Sequence, residues 1–218
     1  SLEYIYNGSF TITDNVIDNV SSQGIYLYRV GTSSDTLVIR NNTINLTNSS
    51  GIYIYSDNNN PFISIKNNNI NRTGYWDPGM SGSNGIRISS DAGNYIEIVS
   101  NVIDSSGSWG MYLKQTSGII DSNTVTSSGY GGIRLYGNFN YPSVDSIRYN
   151  TITGSKHTNG AGIYSTDYSR PIVNYNDLHS NNGYDFYNNT DASIYSELDA
   201  KYNYWGTIGT IMMVTPPN

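Results

Sequence analysis

The 218-residue chain contains no cysteine. That excludes a disulfide framework and any thiolate-bound metal. Charge is sparse as well, at 13 % of residues, and the formal net charge of −6 with a pI near 4.6 argues against general binding to nucleic acid or to anionic membranes. No apolar run approaches the ~18 residues that a bilayer-spanning helix requires. No leader segment is visible, so an exported chain would be represented by its mature part or by an excised piece. LEYIY at 2–6 reads as half a repeat and TPPN at 215–218 as the start of a linker, which agrees with an excised piece.

What is abundant is Asn, Ser, Thr and Gly, together with 21 Tyr. Polar, weakly charged composition alone would suggest disorder, but regularly placed Ile, Leu and Val argue for a packed core. The regularity has two parts. One phrase centres on Asn and recurs as FTITDNVID (10–18), LVIRNNTIN (37–45), ISIKNNNIN (63–71), IEIVSNVID (96–104), GIIDSNTVT (118–126), DSIRYNTIT (145–153), PIVNYNDLH (171–179) and LDAKYNYWG (198–206). Its Asn residues stand at 15, 42, 68, 101, 123, 150, 176 and 203, at steps of 27, 26, 33, 22, 27, 26 and 27. A fixed period of this size marks a solenoid, in which each repeat buries its apolar face against its neighbours.

The second phrase opens on Gly: GIYLY (24–28), GIYIY (51–55), GIRIS (85–89), GMYLK (110–114), GIRLY (132–136), GIYST (162–166) and a weakened GYDFY (183–187). Its period of two is a strand signal. Ile25 and Leu27, with their counterparts, face inward, while Tyr26, Tyr53, Arg87, Tyr112, Arg134 and Tyr164 face outward. The Asn phrase supplies two more short strands joined at a corner. Three strands per coil, in constant order and without tight reversing turns, predict an all-β, single-stranded parallel β-helix of about eight coils over 1–207, with a cap and linker start at 208–218. The corner Asn is expected to adopt left-handed backbone angles and to bond its amide to the Asn above and below, and the Gly to mark a similar bend.

These G-I-x-L and I-x-N-N-x-I phrases resemble the right-handed parallel β-helix repeat proteins, the pectate-lyase-like superfamily, over about residues 2–206. NYWGT at 203–207 looks like the closing motif of secreted members, with Trp205 plugging the apolar end and Ile208, Ile211, Met212 and Met213 extending the cap. The resemblance implies an extracellular or cell-surface setting and a ligand lying along the outer face of the Gly-phrase strands. It carries over no catalytic motif.

On that face two stripes run in register: Tyr26, Tyr53, Arg87, Tyr112, Arg134, Tyr164, and Tyr28, Tyr55, Ser89, Lys114, Tyr136, Thr166. Tyr and Arg in rows suit sugar rings and their hydroxyls or carboxylates, and equally suit a half-exposed strand surface that stacks on itself. The loop entering the first strand is expanded once, at 74–84. Its Trp76, with Trp109, Tyr75 and Tyr130, would form an aromatic cluster beside the stripes, by carbohydrate stacking or by local packing. Asp57 and Asp91, in loops leaving successive first strands, have the spacing of a possible oxygen-ligand Ca²⁺ site or of ordinary loop caps.

Three functions fit. A non-catalytic module would bind polysaccharide through Tyr26, Tyr53, Tyr55, Trp76, Trp109, Tyr112 and Tyr136. A calcium-dependent polysaccharide lyase would use Arg87, Lys114 or Arg134 as base, with Asp57 and Asp91 holding the ion. A structural surface or filament protein would stack end to end through an open edge, or join flanking domains of a longer chain. Glycoside hydrolysis needs paired carboxylates, and the face offers only Asp185 in the last repeat. His157 and His179 have no metal-ligand spacing, and sequons such as Asn45-Leu-Thr47 are chance products of an Asn-rich chain.

Overall fold

The computed structural model describes residues 2–3, 8–29, 31–56, 60–74, 82–190, 198–206 and 211–213. Trp76, Tyr75 and Asp57 lie outside the described residues, as does Ile208. Among the described residues every regular element is a strand, and every strand pairing is parallel. The chain winds as a β-solenoid. Each coil contributes a first strand from the Gly phrase, a second before the Asn and a third after it. In two coils the first and second strands run on as one bent strand, Ile86–Val99 and Trp109–Asp121.

Register follows the repeat. Ile25 pairs with Ile52, Ile52 with Ile86, Ile86 with Met111, and the column continues through Ile133, Ile163 and Phe186. Parallel columns run through Leu37, Ile63 and Ile96 on the second strands and Ile44, Ile70, Ile103, Val125, Ile152 and Leu178 on the third. All of these are buried, so a one-residue slip would turn each column out to water. Trp205 stacks on Phe186 at 6.5 Å between ring centres and covers that end of the core. Past residue 207 the first-strand column goes on: Ile211–Met213 pairs in parallel with Tyr184–Thr190.

The Asn series forms an unbroken ladder. Each side-chain Nδ2 donates to Oδ1 of the next Asn at 2.9–3.0 Å, from Asn15 through Asn42, Asn68, Asn101, Asn123, Asn150 and Asn176 to Asn203. The same Oδ1 accepts the backbone N–H one coil below, as Asn101 does from Asn68. The left-handed backbone is not on these residues, as expected from sequence, but one position earlier, at Asp14, Asn41, Asn67, Ser100, Ser122, Tyr149, Tyr175 and Tyr202, with φ of 54–59°. The residue that turns the corner is exposed, and the ladder residue after it directs its side chain into the coil.

The opening Gly residues stand at a bend at 24, 51 and 85, as expected, but left-handed angles are not the reason for glycine. None of Gly24, Gly51, Gly85, Gly110, Gly132 or Gly162 has positive φ. A Cβ there would lie 2.2–2.6 Å from a methyl of Ile44, Ile70, Ile103, Val125 or Ile152 in the first five. Glycine is required by space: the third-strand core residue fills the volume.

Candidate functional site

The outer face of the first strands carries the row predicted from sequence, and one more member. Tyr26, Tyr53, Arg87, Tyr112, Arg134, Tyr164 and Tyr187 stand on consecutive coils in strict register. Alternation along each strand puts them outward, half-buried between side chains of the coils on either side.

Stacking along this row is continuous. The rings of Tyr26 and Tyr53 are 5.2 Å apart, and those of Tyr164 and Tyr187 lie 4.8 Å apart and nearly parallel. Between them the guanidinium of Arg87 sits 4.7 Å from the Tyr53 ring centre and 5.4 Å from Tyr112. Arg134 sits 5.5 Å from Tyr112, 5.7 Å from Tyr164 and 5.8 Å from Trp109. Two planar cations are thus intercalated in a column of rings, each attracted to the negative faces of its neighbours. Arg87 has one long hydrogen bond, from Nε to Ser89 Oγ at 3.4 Å, and Nε of Arg134 has no partner. Neither arginine pairs with a carboxylate among the described residues.

The second stripe has a different character. Tyr28 and Tyr55 stack at 5.2 Å. Tyr55 donates its hydroxyl to Asp91 at 2.6 Å, and Lys114 donates to the other oxygen of Asp91 at 3.1 Å. The Asp91 acceptor pushes the Tyr55 hydroxyl up to about 12, and the hydrogen bonds from Tyr55 and Lys114 hold Asp91 below the usual carboxylate range. Ser89 is buried between Tyr55 and Lys114, and Tyr136 is half-buried above Lys114 in register.

Calcium does not fit what Asp91 shows. Asp91 lies within the strand Ile86–Val99 and not in a loop, and its two oxygens are taken by a phenol and an ammonium group. A cation already 3.1 Å away opposes a second. Among the described residues no three of His, Asp and Glu gather as metal ligands.

Trp109 is buried, not presented on an open loop rim. Its indole packs against Tyr130 at 5.0 Å and edge-on to Tyr164 at 5.6 Å, and reaches across Gly131. A Cβ at Gly131 would lie 2.2 Å from the indole, so the first Gly of the GG pair at 131–132 exists to admit it. Trp109 therefore braces Arg134 and Tyr164 from beneath the row. Asp185 moves further from its expected place. Register aligns it with Gly162, two positions from the outward column, and it is buried with its carboxylate accepting from Asn181. The outward position belongs to Tyr187.

Sequence reasoning missed three features. Tyr149, Tyr175 and Tyr202 form an exposed stack at 5.4 and 5.0 Å on the ladder corner, signalled in the sequence by a Tyr-Asn pair in three successive repeats. Asp145 points into the core in the column of Leu37, Ile63 and Ile96, bonded by Thr116 Oγ1 at 2.9 Å, and burial pushes its carboxyl up to about 7. A cavity of about 330 Å³ opens at the turn between third and first strands.

A family model described as "Right handed beta helix region" matches residues 84–204, more than half of the chain. The chain belongs to the right-handed β-helix family. No match was found among curated proteins or among solved structures.

Proposed function

We propose that this chain is an extracellular, non-catalytic β-helix module that binds polysaccharide along the row from Tyr26 to Tyr187. The observation that carries the reading is the pair of guanidinium groups, Arg87 and Arg134, held between rings with no carboxylate partner among the described residues. Four other cations of this acidic chain find carboxylates, in Lys66–Glu97, Lys114–Asp91, Arg148–Asp121 and Lys201–Asp199. A half-buried arginine without a counter-charge is costly unless a ligand supplies one, and a guanidinium edge suits a carboxylate bidentately. Seven positions at the parallel-strand spacing span roughly 29 Å, the length of several sugar units. Aromatic edges and hydroxyls between the arginines supply ring contact and hydrogen bonds. The favoured ligand is a polysaccharide bearing carboxylates.

Retention on a panel of immobilised neutral and acidic polysaccharides tests this. The wild type is expected to bind an acidic polymer, and Tyr53→Ala to bind it at least about tenfold more weakly. Binding to none of the panel would discard the proposal. Ultraviolet-absorbing unsaturated sugar ends accumulating in the same mixture would replace it with the lyase reading.

A further inference from the structure

We propose that Tyr149, Tyr175 and Tyr202 form an oxidative cross-linking site, at which a carbon–carbon bond between two of their rings staples successive coils together. The site is independent of polysaccharide binding, because it lies at the corner between second and third strands and the Tyr/Arg row lies on the first strands. These tyrosines turn the corner just before the ladder residues Asn150, Asn176 and Asn203, with φ of 55, 59 and 57°. Earlier coils use Asp14, Asn41, Asn67, Ser100 and Ser122 at this position, all small and polar. Bulky side chains are uncommon in left-handed backbone, so Tyr on three successive coils runs against the local preference. Burial does not offset it, since the three residues are 57, 48 and 73 % exposed. What they form together is a stack, with ring centres 5.4 and 5.0 Å apart and ring planes only 17° and 13° from parallel.

The ladder fixes the spacing of that stack from directly behind it: Asn150 donates to Asn176, and Asn176 to Asn203, both at 3.0 Å. No described residue accepts a hydrogen bond from the three hydroxyls, which face water. Loss of one electron and the phenolic proton from each of two neighbouring rings gives two neutral phenoxyl radicals, with spin on the carbons next to C–O. A bond forms between one such carbon of each ring, and the hydrogens on those carbons move to the oxygens, restoring two phenols. The oxidant is hydrogen peroxide used by a haem peroxidase: one peroxide accepts the two electrons and two protons and leaves as two waters. Tyr26–Tyr53 and Tyr164–Tyr187 are as close as the corner pairs, but they are half-buried and closed to an enzyme-sized oxidant. Tyr175 stands between Tyr149 and Tyr202 and is one partner in either bond. The bond closes a loop 26 or 27 residues long, which restricts the unfolded chain as other cross-links do.

The test is treatment of the dilute chain with a haem peroxidase and hydrogen peroxide, followed by proteolysis and mass spectrometry. We expect Tyr149 joined to Tyr175, or Tyr175 to Tyr202, in a peptide pair lighter by two hydrogens and carrying the blue emission of a biphenol. Tyr175→Phe keeps the ring but has no hydroxyl to oxidise, and it should abolish both products. Tyr26→Phe should leave their yield unchanged. The preference for these pairs should vanish in concentrated urea, and the purified cross-linked chain should unfold at a higher urea midpoint than the untreated one. Four results would overturn the proposal: no joined peptide, links as abundant at Tyr26–Tyr53 or Tyr164–Tyr187, links only between separate chains, or an undiminished yield in Tyr175→Phe. An unshifted midpoint of the cross-linked chain would contradict its role as a staple. None of these readouts involves a polysaccharide, so failure here and failure of the Tyr/Arg reading are distinguishable.

Discussion

The guanidinium of Arg87 lies 4.7 Å from the ring of Tyr53, its register partner one coil away, and makes no ion pair among the described residues. A cation–π contact on a half-exposed strand face contributes about 0.5–1 kcal/mol. Arg87→Ala is therefore expected to lower the stability of the fold by no more than about 1 kcal/mol, read as a small shift in the urea midpoint. A larger loss would mean that the arginine serves the scaffold and not a ligand.

The ladder predicts the opposite balance. Asn101 accepts from both N and Nδ2 of Asn68 and donates to Ile65 O, Val99 O and Asn123 Oδ1, all in a buried corner. Asn101→Ala orphans several of these groups and should cost roughly 2–4 kcal/mol. Asn15→Ala, at the exposed end, should cost less than about 1 kcal/mol, again read from the urea midpoint. Equal midpoints for the two variants would show that the ladder does not hold the corner together.

Gly131 makes room for Trp109, so Gly131→Ala must displace either the indole or the Ala161 carbonyl 2.5 Å away. With Trp76 and Trp205 replaced by Phe, the emission of Trp109 should move to longer wavelength in the Gly131→Ala variant as the indole is wetted. An unshifted spectrum would show that the indole does not depend on that space.

Asp145 predicts an unusual pH dependence. Its carboxyl has a folded value of about 7 against an ordinary 3.8, so between these values the folded chain binds more protons than the unfolded one. Stability falls as pH rises through this window, by roughly 4 kcal/mol in full, and the penalty is absent below it. Carboxylates held low, such as Asp91 and Asp104, act oppositely and at more acid pH. The urea midpoint should therefore decline from about pH 5 to about pH 7 in the wild type, and Asp145→Asn should flatten that decline.

Much of this architecture is legible in the chain because near-identical phrases recur: once Ile25 pairs with Ile52, period two places Tyr26 over Tyr53. The positions of Arg87 and Arg134 in the row follow from the same rule, but their intercalation between rings does not, since it depends on how long side chains lie along the coil axis. Asp185 is misplaced by a reading that aligns Gly183 with Gly162. The core wants Phe186 beside Ile163 instead, and Gly183 packs against the Gly160 carbonyl. Asp145 is hidden because an apolar Val144 precedes it and the strand turns Val144 out. Trp109 reads as a loop residue because the glycine that admits it belongs to the next coil.

The Tyr/Arg row as a binding face is tested most sharply by the affinity of an Arg87→Ala, Arg134→Ala double variant for an acidic polysaccharide that the wild type retains. Removing two charge-assisted donors at once predicts a fall of about a hundredfold or more, with the fold intact by circular dichroism. Affinity equal to that of the wild type would contradict the assignment of the row as the binding face.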